Sequence, residues 1–324
     1  MRYLNSDDAR RVLSMPVAID LMRTAFYDLG KGMAQVPVRT SFTMGSTGRN
    51  RALAMPAEVA SFAAGLKFIT VVPSNREKGL PTSSAVILIA DAESGNVRAI
   101  IEAEALTAIR TGAGSGLATD LLADPDASVV AIFGAGAQAE TQLEAVCCVR
   151  PVTTALVFNR TRANADAFAR RMSSRLNIEV RVSEDQQELQ SADIICTATA
   201  SVSPVLEARH LKSKVHINGV GSYRPDMAEI PADVVTNSYV IADHLPACFA
   251  EAGDILQPIA SGAISDSHIA GDLGGILTGR VRAIDKPWTF FKSVGVACQD
   301  IAVGHFVAKK AEELDLGIVL PASH

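Results

Sequence analysis

Ser128-Val129-Val130-Ala131-Ile132-Phe133-Gly134-Ala135-Gly136-Ala137-Gln138-Ala139 is the stretch on which the fold turns. Its first six residues form a short apolar run rich in β-branched side chains, which predicts a strand buried on both faces. A G-x-G-x-x-A pattern follows at 134–139, and a helix is expected to open near Ala137. In that setting Gly134 permits the tight turn and Gly136 lets the backbone approach a pyrophosphate. Ala139 keeps the helix close to the strand, and the phosphate rests on the helix N-terminus. The flanking strand and helix distinguish this pattern from a glycine-rich turn in an unrelated sheet.

Further along the chain, TTALVF, IEVRV, DIICTA, KVHINGV and SYVIAD repeat the short apolar run, separated by helical or loop stretches. Such alternation predicts a doubly wound parallel sheet of Rossmann type. The second strand ends at Val157-Phe158-Asn159-Arg160-Thr161-Arg162. An acid is usual at this point in NAD-binding domains, where it receives the ribose 2′-hydroxyl. Asn159 stands there instead. Arg160, Thr161 and Arg162 suit a 2′-phosphate, so NADP(H) is expected over NAD(H). The alternative is that these arginines are solvated residues at a helix start.

Before residue 116 the pattern differs. Ala18, Leu21, Met22, Ala25, Phe26 and Leu29 predict an amphipathic helix over 16–30, stopped by Gly30 and Gly32. Short strands are expected near 36–43, 51–55, 65–72, 84–91 and 96–101, in a mostly antiparallel sheet. A helix over 102–122 is crowded with small residues, which points to close approach of another backbone or a ligand. A last helix near 293–314 is expected to return to this first part. The predicted organisation is thus a smaller α+β domain of 1–115 with 300–324, for substrate binding and dimerisation, and a dinucleotide-binding domain of 116–299.

Composition narrows the function. The net charge of −5 provides no basic field for nucleic acid or an anionic membrane. No apolar run reaches the length of a membrane span, and MRYLNSDDAR lacks the apolar core of a signal peptide. The five cysteines, Cys147, Cys148, Cys196, Cys248 and Cys298, show no metal or disulfide spacing. A reducing cytoplasm is therefore the expected location. The six histidines are scattered, so no metal site is expected.

Four residues stand out for chemistry. Lys67, in Gly65-Leu66-Lys67-Phe68-Ile69-Thr70-Val71, shares a strand face with Ile69 and Val71. A lysine there must be paired, put to use, or snorkelling from an edge strand. Arg110 lies in the small-residue helix, where Gly112, Gly114 and Gly116 leave it open to a ligand. Arg39 lies in VPVRTSF. Either arginine fits a carboxylate clamp, and either also fits a surface salt bridge. Asp226, in Gly219-Val220-Gly221-Ser222-Tyr223-Arg224-Pro225-Asp226, follows a strand at the end where doubly wound folds bind ligands. An aspartate after proline is also a common turn former.

Taken together, these stretches resemble the ornithine cyclodeaminase/mu-crystallin family along nearly the whole chain. The matching segments are Gly65-Leu66-Lys67 leading to Gly79-Leu80-Pro81-Thr82, Leu106 to Ala113, the GAGAQA loop, GSYRPDMAE, and Phe291-Lys292-Ser293-Val294-Gly295. The resemblance implies a Rossmann domain inserted into a substrate and dimerisation domain built from both chain ends. It implies that Arg39, Lys67 and Arg110 hold a substrate carboxylate, that Val294 touches substrate, and that Asp226 handles protons at the substrate nitrogen, with Lys67 and Asp226 as the catalytic pair. Thr82, Arg110, Gly134, Gly136, Ala137, Gln138, Val220, Gly221, Ser222, Tyr223 and Ser293 would contact the cofactor. Family activities include ornithine cyclodeamination, reduction of cyclic ketimines and alanine dehydrogenation, and mu-crystallin also binds small molecules under nicotinamide control. Cyclodeaminases place an acid two residues before a Met-Pro pair; here the pair is Met55-Pro56 and the residue is Leu53. With Asn159-Arg160-Thr161, this favours an NADPH-dependent reductase of a cyclic ketimine carboxylate, Δ1-pyrroline-2-carboxylate or Δ1-piperideine-2-carboxylate, acting as a homodimer.

Overall fold

A computed structural model describes residues 1–46, 48–282 and 286–321. The chain forms two compact units, Met1–Arg110 with Val296–His324, and Thr111–Gly295. In chain order the elements that position the candidate site are β1 (Arg2–Leu4), α1 (Ser6–Val12), α2 (Met15–Lys31), β2 (Ala34–Gln35), β3 (Thr40–Met44), β4 (Asn50–Val59), β5 (Ala64–Val71), β6 (Ser83–Ala90), β7 (Val97–Glu102) and α3 (Glu104–Leu122). Next come β8 (Val129–Phe133), α4 (Ala137–Val149), β9 (Thr154–Phe158), α5 (Arg162–Leu176), β10 (Glu179–Val182), β11 (Ile194–Thr197) and β12 (Val215–Gly219). The chain continues through α6 (Ala232–Asn237), β13 (Tyr239–Ala242), α7 (Leu245–Glu251), α8 (Gly253–Ala260), β14 (Ile269–Asp272), α9 (Leu273–Leu277), β15 (Trp288–Lys292), α10 (Ala297–Glu313) and β16 (Ile318–Val319).

The first unit is a sheet in the order β16-β1-β7-β6-β5-β4-β2, with β3 also paired to β4. Its pairs are antiparallel except β1 with β7. Met55, Lys67, Ile87 and Ile101 face one another in register across β4, β5, β6 and β7, and all four are buried. The returning helix α10 packs on β4, β5 and β6 and against α2. Ile301 and Gly304 of α10 come so close to the strands that a Cβ on Gly304 would lie 2.8 Å from Ile89.

Two local expectations change. The strand expected over 36–43 is interrupted, because Pro37 has no N–H for a ladder; pairing stops after Gln35 and resumes at Thr40. Arg39 therefore precedes β3 in a connecting segment. Helix α2 runs through Gly30 and stops only at Gly32, whose φ of 73° gives the left-handed cap.

The second unit is a parallel sheet in the order β10-β9-β8-β11-β12-β15-β13-β14. Alternation along β8 supplies both faces: Val130 and Ile132 pack with Leu143, Val146 and Phe168, while Ala131 and Phe133 pack with Leu156, Ile195 and Ile217. The chain order reverses between β8 and β11, the switch point at which doubly wound folds bind ligands. This is an α/β protein with a Rossmann-type parallel sheet in one unit and an α+β arrangement in the other.

The small residues of α3 serve close packing. A Cβ on Gly112 would lie 2.4 Å from the carbonyl oxygen of Thr141 in α4, and backbone cannot yield as a side-chain tip can. Gly112→Ala should therefore destabilise the protein by about 1–3 kcal/mol, read as a lower urea midpoint with unchanged slope.

Candidate active site

The first unit buries a charge cluster. Lys67 on β5 is 1% exposed and Arg110 on α3 is 5% exposed. Between them lies Asp300 of α10, fully buried. Its Oδ1 accepts from Lys67 Nζ at 3.0 Å and from Arg110 Nε at 3.1 Å. Arg110 Nη1 also donates to Gln299 Oε1 at 3.0 Å. Burial lowers the Lys67 pKa to about 8; Asp300 opposes that shift, and Arg110 and Arg39 add to it. Arg39 is thus brought within electrostatic reach of Lys67. Two cations and one anion leave a net positive charge, which matches one carboxylate.

Arg110 corrects the sequence expectation. Its neighbours do not leave it open: it is buried and already paired. Asp300 and Gln299 escaped sequence reasoning, because nothing in ACQDIAVG marks an acid as facing a lysine 233 positions away.

In the second unit, Gly134 has φ 110°, and a Cβ there would meet the carbonyl oxygen of Ala198, after β11, at 2.7 Å. Gly136 is the N-cap of α4, and among the described residues no atom beyond its chain neighbours lies within 4 Å of where its Cβ would be. Beside it, the buried Oε1 of Gln138 has no hydrogen-bond partner among the described residues. A glycine with open space at a helix N-terminus and an amide oxygen awaiting a donor both fit a dinucleotide. Ala137 is exposed at the first position of α4.

The strand ends beyond the switch point are held by buried carboxylates. Glu229 accepts from Thr197 Oγ1, Thr199 N and Gly221 N at 2.9, 2.6 and 2.7 Å. Burial, then the nearby Asp254, raises its pKa, while Lys292 lowers it. Asp254 accepts from the N–H groups of Glu229 and Ile230 and pairs with Lys292 Nζ at 2.8 Å. Asp243 Oδ2 accepts from Ser293 Oγ, Val294 N and Gly295 N within 2.7–2.9 Å. Sequence reading did not pick out Glu229, Asp243, Asp254 or Lys292. Of these, Asp243 directly follows an apolar strand and Lys292 ends one, which was the available signal for those two.

Other candidate positions vary in availability. Ser222 is buried and donates to Met227 O, so its hydroxyl is committed to the loop. Ser293 is likewise bound to Asp243. Val220 and Gly221 are half-buried, Tyr223 is exposed, and Val294 is buried. Thr82 is exposed in the first unit, before β6. Asp226 has a 66% exposed side chain held in a bidentate pair by Arg224. After β9, Asn159 Nδ2 donates to Thr161 O, and Arg162 is engaged with Asp166 and Glu184. Arg160 is exposed and makes no ion pair among the described residues.

Comparison with known proteins places the chain in a family. The model of the ornithine cyclodeaminase/mu-crystallin family matches residues 4–315. A Delta(1)-pyrroline-2-carboxylate reductase of Bacillus cereus is 35% identical over 98% of each chain. The structure of Thermococcus litoralis Delta(1)-pyrroline-2-carboxylate reductase in complex with NADH and L-proline superposes with a TM-score of 0.95, at 35% identity, covering 99% of this chain and 100% of that one. An archaeal alanine dehydrogenase dimer with bound NAD gives 0.92 at 28% identity over 98% of each chain. No helix among the described residues is long and apolar enough to cross a membrane.

The depressed Lys67 pKa has a thermodynamic consequence. Between about 8 and its unfolded value near 10.5, the unfolded chain holds a proton that the folded chain has lost, so stability gains with rising pH across that window. Below pH 8 the full cost of burying the ammonium is present. Lys67→Met leaves Asp300 and Arg110 as a balanced pair. This variant should melt above the parent at pH 7, and the gap should narrow from pH 8 to 10.5 in a calorimetric series.

Proposed function

The chain belongs to the ornithine cyclodeaminase/mu-crystallin family, and from that membership we propose that it reduces a cyclic ketimine carboxylate, Δ1-pyrroline-2-carboxylate or its six-membered homologue, to the cyclic amino acid. It is an NAD(P)-dependent oxidoreductase. The observation that carries the substrate reading is the buried Lys67–Asp300–Arg110 cluster, whose single net positive charge calls for one carboxylate. Lys67 and Arg110 bind that carboxylate, with Arg39 adding charge. This fixes the neighbouring C=N carbon and leaves the ring to apolar neighbours.

A bound NAD(P)H supplies the hydride for the imine carbon. The second unit provides its seat: Gly134, Gly136 and Gln138 for the pyrophosphate, and the Val220–Tyr223 and Ser293 segments for the other half. Arg160 and the Thr161 hydroxyl favour a 2′-phosphate, while Arg162 is spent on Asp166 and Glu184. NADPH is therefore the preferred donor. Asp226 gives or relays the proton to the substrate nitrogen, exchanging its Arg224 partner for substrate as it does so.

Leu53 argues against ornithine cyclodeamination. It stands opposite Ile69 on the strand face that carries Met55 and Lys67, so the distal ammonium of ornithine would meet a hydrocarbon side chain. An unpaired charge there costs several kcal/mol. Alanine dehydrogenation would use the same carboxylate cradle on an acyclic imine. A protein that only binds ligand, under NADPH control, would have no use for Asp226.

The same sheet suggests a homodimer. Leu66, Phe68, Val86 and Leu88 are cross-strand neighbours on the face away from α10, and Phe68 and Val86 are exposed. A second copy would cover this apolar face.

An absorbance assay tests the proposal. Reduction of the pyrroline or piperideine carboxylate should exceed ornithine cyclodeamination in kcat/KM by roughly a hundredfold or more, and NADPH should bind tighter than NADH. Ammonia release from ornithine at similar efficiency refutes the substrate reading. Tighter NADH binding refutes the cofactor preference.

Asp226 is tested separately. Asp226→Asn should lower kcat by about a hundredfold with NADPH affinity little changed. Near-normal kcat across the pH range would make Asp226 a turn residue only.

A further inference from the structure

Several buried carboxylates lie in this protein, and Asp300 differs from the rest. Asp243 accepts from three groups of the 293–295 turn, two of them backbone N–H groups. Asp254 accepts from the backbone at Glu229 and Ile230, and Glu229 from the backbone at Thr199 and Gly221. Each of these acids pins a loop. Asp254 also pairs with Lys292 Nζ, whereas Asp300 bonds two side-chain cations and no backbone donor among the described residues. Its Oδ1 accepts from Lys67 Nζ and Arg110 Nε, and its Oδ2 has no hydrogen-bond partner among the described residues.

We infer that Asp300 is a positioning residue, which holds the Lys67 ammonium and the Arg110 guanidinium on one oxygen as a single cradle for a substrate carboxylate. The inference rests on the proposed carboxylate-binding role of Lys67 and Arg110. Without Asp300, two like charges would share a buried space and repel each other, and the lysine, unlike arginine, can relieve this by losing its proton. With Asp300, both cations survive burial, and a fork of donors remains for the incoming anion. Gln299, next in the chain, fixes the other side of the fork: its Oε1 accepts from Arg110 Nη1 and its Nε2 reaches the Arg110 carbonyl.

The groups facing Lys67 are few. Its cross-strand neighbours Met55 and Ile87 are uncharged. Asp300 comes from α10, Arg110 from α3, and Arg39 from the segment before β3. Burial, Arg110 and Arg39 all lower the Lys67 pKa, and among the described residues Asp300 opposes them. The sign follows. The parent keeps Lys67 cationic up to about pH 8. Neutralising Asp300 removes that opposing influence, so the lysine discharges at lower pH and carboxylate affinity falls with it.

The test is calorimetric titration of the NADPH-saturated protein with pyrrole-2-carboxylate and, as control, pyrrole-2-carboxamide, from pH 6 to 9. The parent should prefer the carboxylate and lose that preference as pH passes about 8. D300N should lose it at least one pH unit lower, and K67M should bind more weakly with no such step. A D300N step at the parent's pH, or a step that persists in K67M, overturns the role of Asp300. Equal binding of carboxylate and carboxamide by the parent instead overturns the carboxylate reading itself. If D300N does not fold, the double variant K67M–D300N decides. Recovery of a folded chain supports charge balance as the task of Asp300, and failure to recover overturns it.

Discussion

One carboxylate oxygen, Oδ1 of Asp300, is shared by two buried cations, and the first unit is organised around that constraint. Its partners lie 233 and 190 positions away in the chain. A lysine in the row Met55-Lys67-Ile87-Ile101 would be intolerable against apolar neighbours alone, since an unpaired buried charge costs several kcal/mol. The acid that makes it tolerable comes from α10, so the end of the chain must return to the sheet that its beginning built. Close contacts of Ile301 with Gly65 and of Gly304 with Ile89 provide the apolar seat that holds the acid at the right height.

The second unit solves a different problem with the same chemistry. Loops beyond the strands β11, β12, β13 and β15 must keep irregular backbone in a defined shape, and irregular backbone carries N–H groups that need acceptors. Glu229, Asp254 and Asp243 accept them, with Lys292 balancing charge. Gly221 is fixed in the same way, because a Cβ there would lie 2.2 Å from the carbonyl oxygen of Thr199. The glycines beyond the strands and the buried acids act together: the first allow close approach, and the second hold it.

Local pattern made much of this readable in advance. The run 128–139 carries its own evidence, since strand, turn glycine and helix start are all set by neighbours in sequence. Helix α2 and the strands β4 to β13 follow from apolar period and from the turns between them, whereas β1, β14, β15 and β16 were not read from the sequence. Where the reading slipped, a single residue intervened. Pro37 removed an N–H and broke the strand expected at 36–43. Gly30 proved tolerable inside α2, because the left-handed cap falls at Gly32.

By itself the sequence determined the fold class, the glycine turn between β8 and α4, and the oddity of a lysine on an apolar strand face, because each rests on spacing over a few residues. Only the tertiary structure decided what Lys67 pairs with, that Arg110 is buried rather than open, and which acids support loops and which one joins two cations. Those outcomes depend on residues hundreds of positions apart meeting in a medium where an unpaired charge is costly, and no local pattern encodes such a meeting.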